Sequence, residues 1–382
     1  MSALKNIKIE NKLLSNSPNF FYNIHNLIYI IVKSEVSNLI IKDINFQIGF
    51  FLTDNNSDLK DLPKIFIYPY KNKNNFIDAN SHKIFFYDEV GVLGSYLDNS
   101  EKRLFVCRKN KDLIICADHP NFLINLYIQI LLIEQNCTLI HASAYQAKSG
   151  KINIFTGAGG TGKTAILGHA VSQMGLKYLG DDLVIINLSK ECLSFPRHFV
   201  LKKYHSQIYS KAFSESKIYN FNFSYLKRFL HENLPFVGII KTLLKKIGFY
   251  YRIADKIRPK DFLATIPPEK IFGINKFVNS GAIGSIIYLD KTVDNSFLIN
   301  QTSSQILSNR IMSVIHHEFR DYNSHLLSLG ALNVINYNIY MKNTSELLNN
   351  ILSNIKLFEL LVPNNSSPTD LINFLIKNNL FD

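Results

Sequence analysis

The chain has 382 residues, and its 42 Lys and Arg outnumber 30 Asp and Glu, for a net charge of +12. With 47% hydrophobic and 19% charged residues, the composition excludes a wholly disordered chain, and its few Gly and Pro exclude collagen-like and linker-like polymers. The length allows two or three domains around a sizeable core, and the basic balance asks for an anionic partner: nucleic acid, an anionic membrane surface or a phosphate-rich ligand.

The four cysteines, Cys107, Cys116, Cys137 and Cys192, form no CxxC pair and have no companion His at metal-ligand spacing, so neither a structural zinc nor a disulfide scaffold is expected. Met1–Ser17 lacks a long apolar core, so no signal peptide is expected. The apolar run Phe122–Ile133 contains Asn125 and Gln129 and falls short of the roughly 20 residues a spanning helix needs. A cytoplasmic chain with no membrane span is the expectation.

From about Phe20 to Ala117, short apolar or alternating runs (Leu27–Val32, Lys64–Tyr70, Lys83–Tyr87, Leu104–Cys107, Leu113–Cys116) alternate with Asn/Asp/Lys/Gly-rich turns. This pattern predicts a β-rich N-terminal domain over residues 1–118, with a hairpin around Arg108–Lys111. Pro120–Glu134 has helical spacing and reads as an amphipathic helix leading into a second domain, residues 119–382. Thr138–Ala144 and Lys151–Phe155 then read as strands joined by a turn at Lys148-Ser149-Gly150, and Thr164–Met174 as a helix ended by Gly175. Ala282–Leu289 reads as a buried strand ending in Asp290, and Ser303–Phe319 as a helix. Thr344-Ser345-Glu346 is read as opening a further helix, Lys356–Val362 as a strand, and Ser367-Pro368 as the cap and first turn of a last helix. The order is that of an α/β fold.

Gly157-Ala158-Gly159-Gly160-Thr161-Gly162-Lys163-Thr164 is a full G-x-x-x-x-G-K-[ST] match set between a predicted strand and a predicted helix, with Ala165 following. Glycines let backbone N–H groups approach phosphate oxygens, and the helix N-terminus adds its positive end. In such a loop Lys163 reaches the β/γ-phosphates and Thr164 offers its hydroxyl to Mg²⁺. Upstream stands His141-Ala142-Ser143-Ala144, and downstream Gly180-Asp181-Asp182-Leu183-Val184. Taken alone, an Asp pair is usually a loop or cap, and a strand-edge His a satisfied structural residue. Near the same sheet edge, however, two carboxylates can divide labour, one holding Mg²⁺ and the other accepting a proton from an attacking hydroxyl.

The ordered set H-A-S-A, G-x-x-x-x-G-K-T, G-D-D-L-V resembles the HPr kinase/phosphorylase family, specifically its related kinases, which share a nucleotide core with phosphoenolpyruvate carboxykinases. Phe195-Pro196-Arg197-His198-Phe199-Val200-Leu201-Lys202, Ile286-Ile287-Tyr288-Leu289 and Leu357-Phe358-Glu359-Leu360 extend the resemblance. It covers roughly Pro120 to the end, with a large interruption. The resemblance implies a P-loop kinase core of that type using ATP and Mg²⁺. Residues 157–165 would bind nucleotide, and Thr164 and Asp181 would hold the metal. Asp182 would accept the proton, with Lys163 and His141 supporting the phosphates. The acceptor would be a hydroxyl of a peptide, a protein or a small molecule, and relatives include ring-forming homo-oligomers. The Glu-containing signature of the full HPr kinases is not recognisable, so a kinase without the reverse phosphorylase reaction is expected, and HPr itself is not inferred as substrate.

Residues 197–262 hold 14 Lys and Arg against four acids, so +10 of the chain's +12 lies in this stretch, interleaved with Tyr and Phe. Three readings of the insert stay open: a cationic surface for an acidic or phosphorylated substrate, a single-strand nucleic-acid site, or a helical insertion with a solvated face. No nucleic-acid module signature accompanies it, so nucleic acid is not expected as a partner. A rival to the kinase is a nucleotide-sensing ATP-binding module that docks to a partner or nucleic acid through this insert. A carboxykinase-like reaction on a small oxoacid shares the nucleotide core but has no carboxylate-binding signature here.

Overall fold

The computed structural model describes residues 19–54, 61–71, 85–87, 93–95, 103–118, 123–202, 262–318 and 320–381. Most of the basic insert, residues 203–261, lies outside them. The chain divides into two compact units, Met1–His198 with Phe272–Asp382, and Phe199–Ile271. In the second, β-strands Phe199–Lys202 and Phe262–Ile266 pair antiparallel.

The first unit begins with a mixed eight-stranded sheet. Its strands are β1 (Asn19–Ile24), β2 (Ile28–Lys33), β3 (Leu52–Thr53), β4 (Lys64–Pro69), β5 (Phe85–Tyr87), β6 (Leu93–Ser95), β7 (Arg103–Lys109) and β8 (Asp112–Ala117), in the order β3-β1-β2-β4-β8-β7-β5-β6. Alternation in β1 buries Phe20, Tyr22 and Ile24, as a half-buried strand requires. The hairpin read at Arg108–Lys111 is present, with Lys109 opposite Asp112 and Asn110 in the left-handed region that Asn tolerates. Helix α1 (Asn38–Ile48) also belongs here, capped by Ser37 and burying Ile40, Ile41, Ile44 and Ile48. That spacing is helical, although the stretch was expected to be β-rich.

Helix α2 (Ile124–Glu134) is buried on every side from Ile124 to Ile133, and so is not the amphipathic helix the sequence suggested. It packs against β2 and α1 on the one hand and, on the other, against strand β9 (Cys137–Ile140), so that one hydrophobic core runs through both halves of the unit. Its two buried amides are bonded, Gln129 Nε2 donating to Thr138 Oγ1 at 2.8 Å and Asn125 Nδ2 to Gln47 Oε1 at 3.0 Å, while Asn125 Oδ1 and the Tyr127 hydroxyl are buried with no hydrogen-bond partner. Burial of amides is tolerated when they are bonded in this way.

The second sheet is also mixed. It includes β10 (Ala142–Gln146), β11 (Ile152–Gly157), β12 (Lys177–Gly180), β13 (Val184–Asn187), β14 (Glu191–Leu193) and a long β17 (Ser280–Thr292), counting the pair in the second unit as β15 and β16, in the order β12-β10-β11-β17-β14-β13-β9. β17 runs parallel to β11, and its first residues pair with β14, which continues through β13 to β9. β18 (Leu298–Gln301) and β19 (Lys356–Pro363) close the other side, β19 parallel to β17. Thr138–Ala144, expected to be one strand, is two, broken at His141: β9 pairs with β13, while β10 pairs with β11 and β12.

Helices among the described residues of this unit also include α3 (Lys163–Ser172), α4 (Ser304–Glu318), α5 (Arg320–Ala331) and α6 (Tyr337–Leu352). A last helix, α7 (Pro368–Lys377), follows β19. α6 is capped by Asn336, so Thr344-Ser345-Glu346 lies inside it rather than at its start; Thr344 Oγ1 donates back to the Tyr340 carbonyl. α7 starts as read, with Ser367 and Asp370 forming a capping box and Pro368 at the first turn. No helix among the described residues is long and apolar enough to cross a membrane.

His25 joins the turn after β1 to the chain beyond β14: its Nε2 lies 2.6 Å from the Ser194 carbonyl, and its ring meets Phe51 edge-on. Burial holds its pKa below the ordinary 6.5, against the Ser194 bond that raises it. A depressed His favours the fold fully above the unfolded value, and this share is lost as the pH falls through the folded one. The melting temperature is therefore expected to drop as the pH goes from 7 to 5, and to drop less in His25→Gln; calorimetric scans of both proteins over that range check this.

Candidate functional site

Strand β11 ends in Gly157, whose φ of +141° and close approach to β17 exclude a side chain, since a Cβ there would collide with the Leu289 carbonyl. The chain then turns through Ala158–Thr161 and enters α3 from Gly162 at φ +108°. Thr161 Oγ1 ties the turn by donating to the Ala158 carbonyl at 2.9 Å. Lys163, the first helical residue, is buried and folds back over the loop, its Nζ donating to the Gly157 and Ala158 carbonyls at 2.7 and 2.8 Å. Burial pushes its pKa down to about 8, with Asp181, Asp182 and Glu318 pulling the other way. Desolvation strengthens the pull of a cation so held on a phosphate, while the neighbouring carboxylates favour its charged form.

Sheet register brings the other motifs to this loop. β10 and β12 are antiparallel with Ala144 opposite Gly180, so Ser143 comes beside Asp181 and donates to its carboxylate. Thr156 Oγ1 donates to the His141 carbonyl at 2.9 Å, pinning His141 next to the start of the loop. Asp181 reaches across to Thr164, Oδ2 lying 3.1 Å from Oγ1. Burial raises its pKa, offset in part by the Ser143 and Thr164 hydroxyls.

Asp182 has φ +70°, in the left-handed region. It lies between His141 Nε2, at 3.1 Å, and the guanidinium of Arg197. Although burial alone would raise its pKa, Arg197 and then His141 hold the carboxyl well below the usual range. About half of the side chain still faces solvent, at 49%, so screening keeps the ion pair's share of fold stability small. Buried Tyr322 of α5 stands near enough to feel both Arg197 and Asp182.

Lys163, Thr164, Asp181, Asp182 and His141 thus meet at one place, joined by Ser143, for which the sequence offers no signal beyond its place in H-A-S-A. Arg197 joins them too, and in the sequence it is marked only as a charge of the insert and as part of Phe195–Lys202. Glu318, the last residue of α4, accepts from the Gly159 N–H at 2.5 Å, and its one sequence signal is an acid at the negative end of a helix. No group of three or more His, Cys, Asp or Glu among the described residues could hold a metal. Mg²⁺ needs less from a protein, typically one or two carboxylates besides substrate phosphates, and the hard oxygens of Thr164 and Asp181 fit it.

The described fold is a mixed α/β protein with two mixed sheets, and the site lies where one of those sheets feeds a glycine-rich loop. No protein-family model matches the sequence, and no curated protein matches it. Among solved structures the chain is similar to the Hpr(Ser) kinase/phosphatase from Coxiella burnetii, with a TM-score of 0.27 and 11% identity over 64% of this chain and 97% of that one.

Proposed function

We propose that this chain is an ATP-dependent kinase that transfers the γ-phosphoryl group to a hydroxyl of a peptide, a protein or a small molecule. The observation that carries the reading is the division of partners between the two aspartates: Asp181 beside Thr164 at the loop, Asp182 held by His141 and Arg197. In this reading the amides of residues 157–162 and the Lys163 ammonium hold the β- and γ-phosphates. Thr164 and Asp181 would hold Mg²⁺, which when bound supplies neutralisation of phosphate charge.

Asp182 accepts a hydrogen bond from the acceptor hydroxyl and aims its oxygen at the γ-phosphorus. The new O–P bond forms as the bond from the γ-phosphorus to the bridging oxygen breaks, ADP leaves, and the hydroxyl proton passes to Asp182 and on to solvent. A carboxylate held so firmly anionic is a weak base, so the proton moves late. That suits a loose transition state in which positioning and charge matter more than deprotonation.

Calorimetric titration with ATP, with and without Mg²⁺, followed by mass spectrometry of peptides and metabolites incubated with the protein and labelled ATP, tests the reading. Mg²⁺-dependent binding and acquisition of one labelled phosphoryl group by an acceptor hydroxyl are expected. An absence of ATP binding would overturn it.

A further inference from the structure

Glu318 closes the described part of α4 (Ser304–Glu318). Leu307, Ile311, Val314 and Ile315 bury one face of this helix, and it packs against β11, the strand that feeds the loop. The exposed Glu318 carboxylate is thereby carried to the start of α3, where amides and the positive helix end favour an anion. The Gly159 N–H donates to Oε1 at 2.5 Å, and a Cβ on Gly159 would stand 3.1 and 3.2 Å from the two carboxylate oxygens. Both oxygens therefore lie against the glycine edge of the loop, and their charge is felt at Lys163. A carboxylate offers the same chemistry as a phosphate edge, two anionic oxygens turned to backbone N–H donors.

We infer that Glu318 is a built-in competitor for the phosphate loop, and that nucleotide enters by displacing it. The inference rests on the reading of residues 157–164 as the nucleotide site. A protein that must first release an internal anion binds its ligand more weakly by the fraction of time the loop is open. A carboxylate seated nine-tenths of the time raises the apparent Kd about tenfold. Such a cap discriminates by charge: a Mg²⁺-nucleoside triphosphate, with several anionic oxygens, displaces one carboxylate more readily than a monoanion does.

The test compares wild type with Glu318→Ala, Glu318→Gln and Glu318→Asp, by calorimetric titration with ATP and Mg²⁺ and by amide hydrogen exchange of the loop peptide without nucleotide. Glu318→Ala is expected to tighten ATP binding by about 10-fold and to speed exchange of the loop amides. Glu318→Gln is expected to fall between, because its amide oxygen still accepts but carries no charge. Glu318→Asp keeps the charge on a shorter arm and is expected to resemble Glu318→Ala, which separates seating in the loop from general repulsion of phosphate. Equal affinity and equal exchange in folded variants would overturn the inference while leaving the nucleotide reading intact. If none of the proteins binds ATP, the nucleotide reading falls and the competitor role with it.

Discussion

Lys163→Met is expected to weaken ATP binding by about 100-fold or more, since each charge-assisted contact it would make to phosphate is worth roughly 1.5–3 kcal/mol and every 1.4 kcal/mol is a factor of ten. The same substitution is expected to leave the melting temperature level or to raise it. The Lys163 ammonium is buried and its pKa is pushed down to about 8, so near neutral pH the fold carries the cost of keeping it charged. Methionine removes that cost and fills a similar volume, although it forgoes the bonds to the Gly157 and Ala158 carbonyls. Loss of ATP binding together with an unchanged or higher melting temperature marks a residue kept for function at the expense of stability. Calorimetric titration and thermal denaturation on one preparation check both halves. ATP binding equal to wild type would remove Lys163 from the phosphate site.

Asp182→Asn is expected to slow phosphoryl transfer by about 10²- to 10⁴-fold, the range for loss of a positioned acid–base group, with ATP affinity changed little. Asparagine is the substitution to use because residue 182 has φ +70°, which Asn adopts readily and Ala does not. It also keeps one oxygen to accept from Arg197, with its NH2 facing His141 Nε2, which a neutral imidazole can offer as an acceptor. Asp181→Asn, in contrast, removes charge beside Thr164, and its effect is expected to depend on Mg²⁺ concentration. Single-turnover rates for the two variants across a Mg²⁺ series distinguish the roles. A transfer rate for folded Asp182→Asn equal to wild type would show that the hydroxyl is aimed by something else.

What could be read from the sequence was what is set by neighbours along the chain. The glycine loop was legible because its turn, its lysine and the following helix are specified within a few residues. The cap at Ser367-Pro368 was legible for the same reason. The helix at Asn38–Ile48 went unread although Ile40, Ile41, Ile44 and Ile48 carry its period, since apolar runs on either side read as strands. Thr344-Ser345-Glu346 imitated a helix start; the periodic burial of Tyr340, Leu347, Leu348 and Ile351 across it would have argued for continuation.

In the site, His141 and the aspartates stood out by their order along the chain, yet which partner each would meet did not. The contact between Ser143 and Asp181 depends on the register of β10 against β12, and Arg197 and Glu318 arrive from 15 and 159 residues away. Pairings of that kind are tertiary, and no local pattern encodes them.

The break at His141 sets where this protein can change length. β9 and β10 follow one another in the chain but belong to different ladders, so a residue added between Ile140 and His141 alters neither register. An addition between Ala142 and Ser143 would swap the faces of the β10 residues beyond it and separate Ser143 from Asp181. Relatives with this architecture should therefore vary in length just before the histidine and keep Ala142–Ala144 at constant spacing. For an engineer grafting the site onto another sheet, that joint is the place to cut.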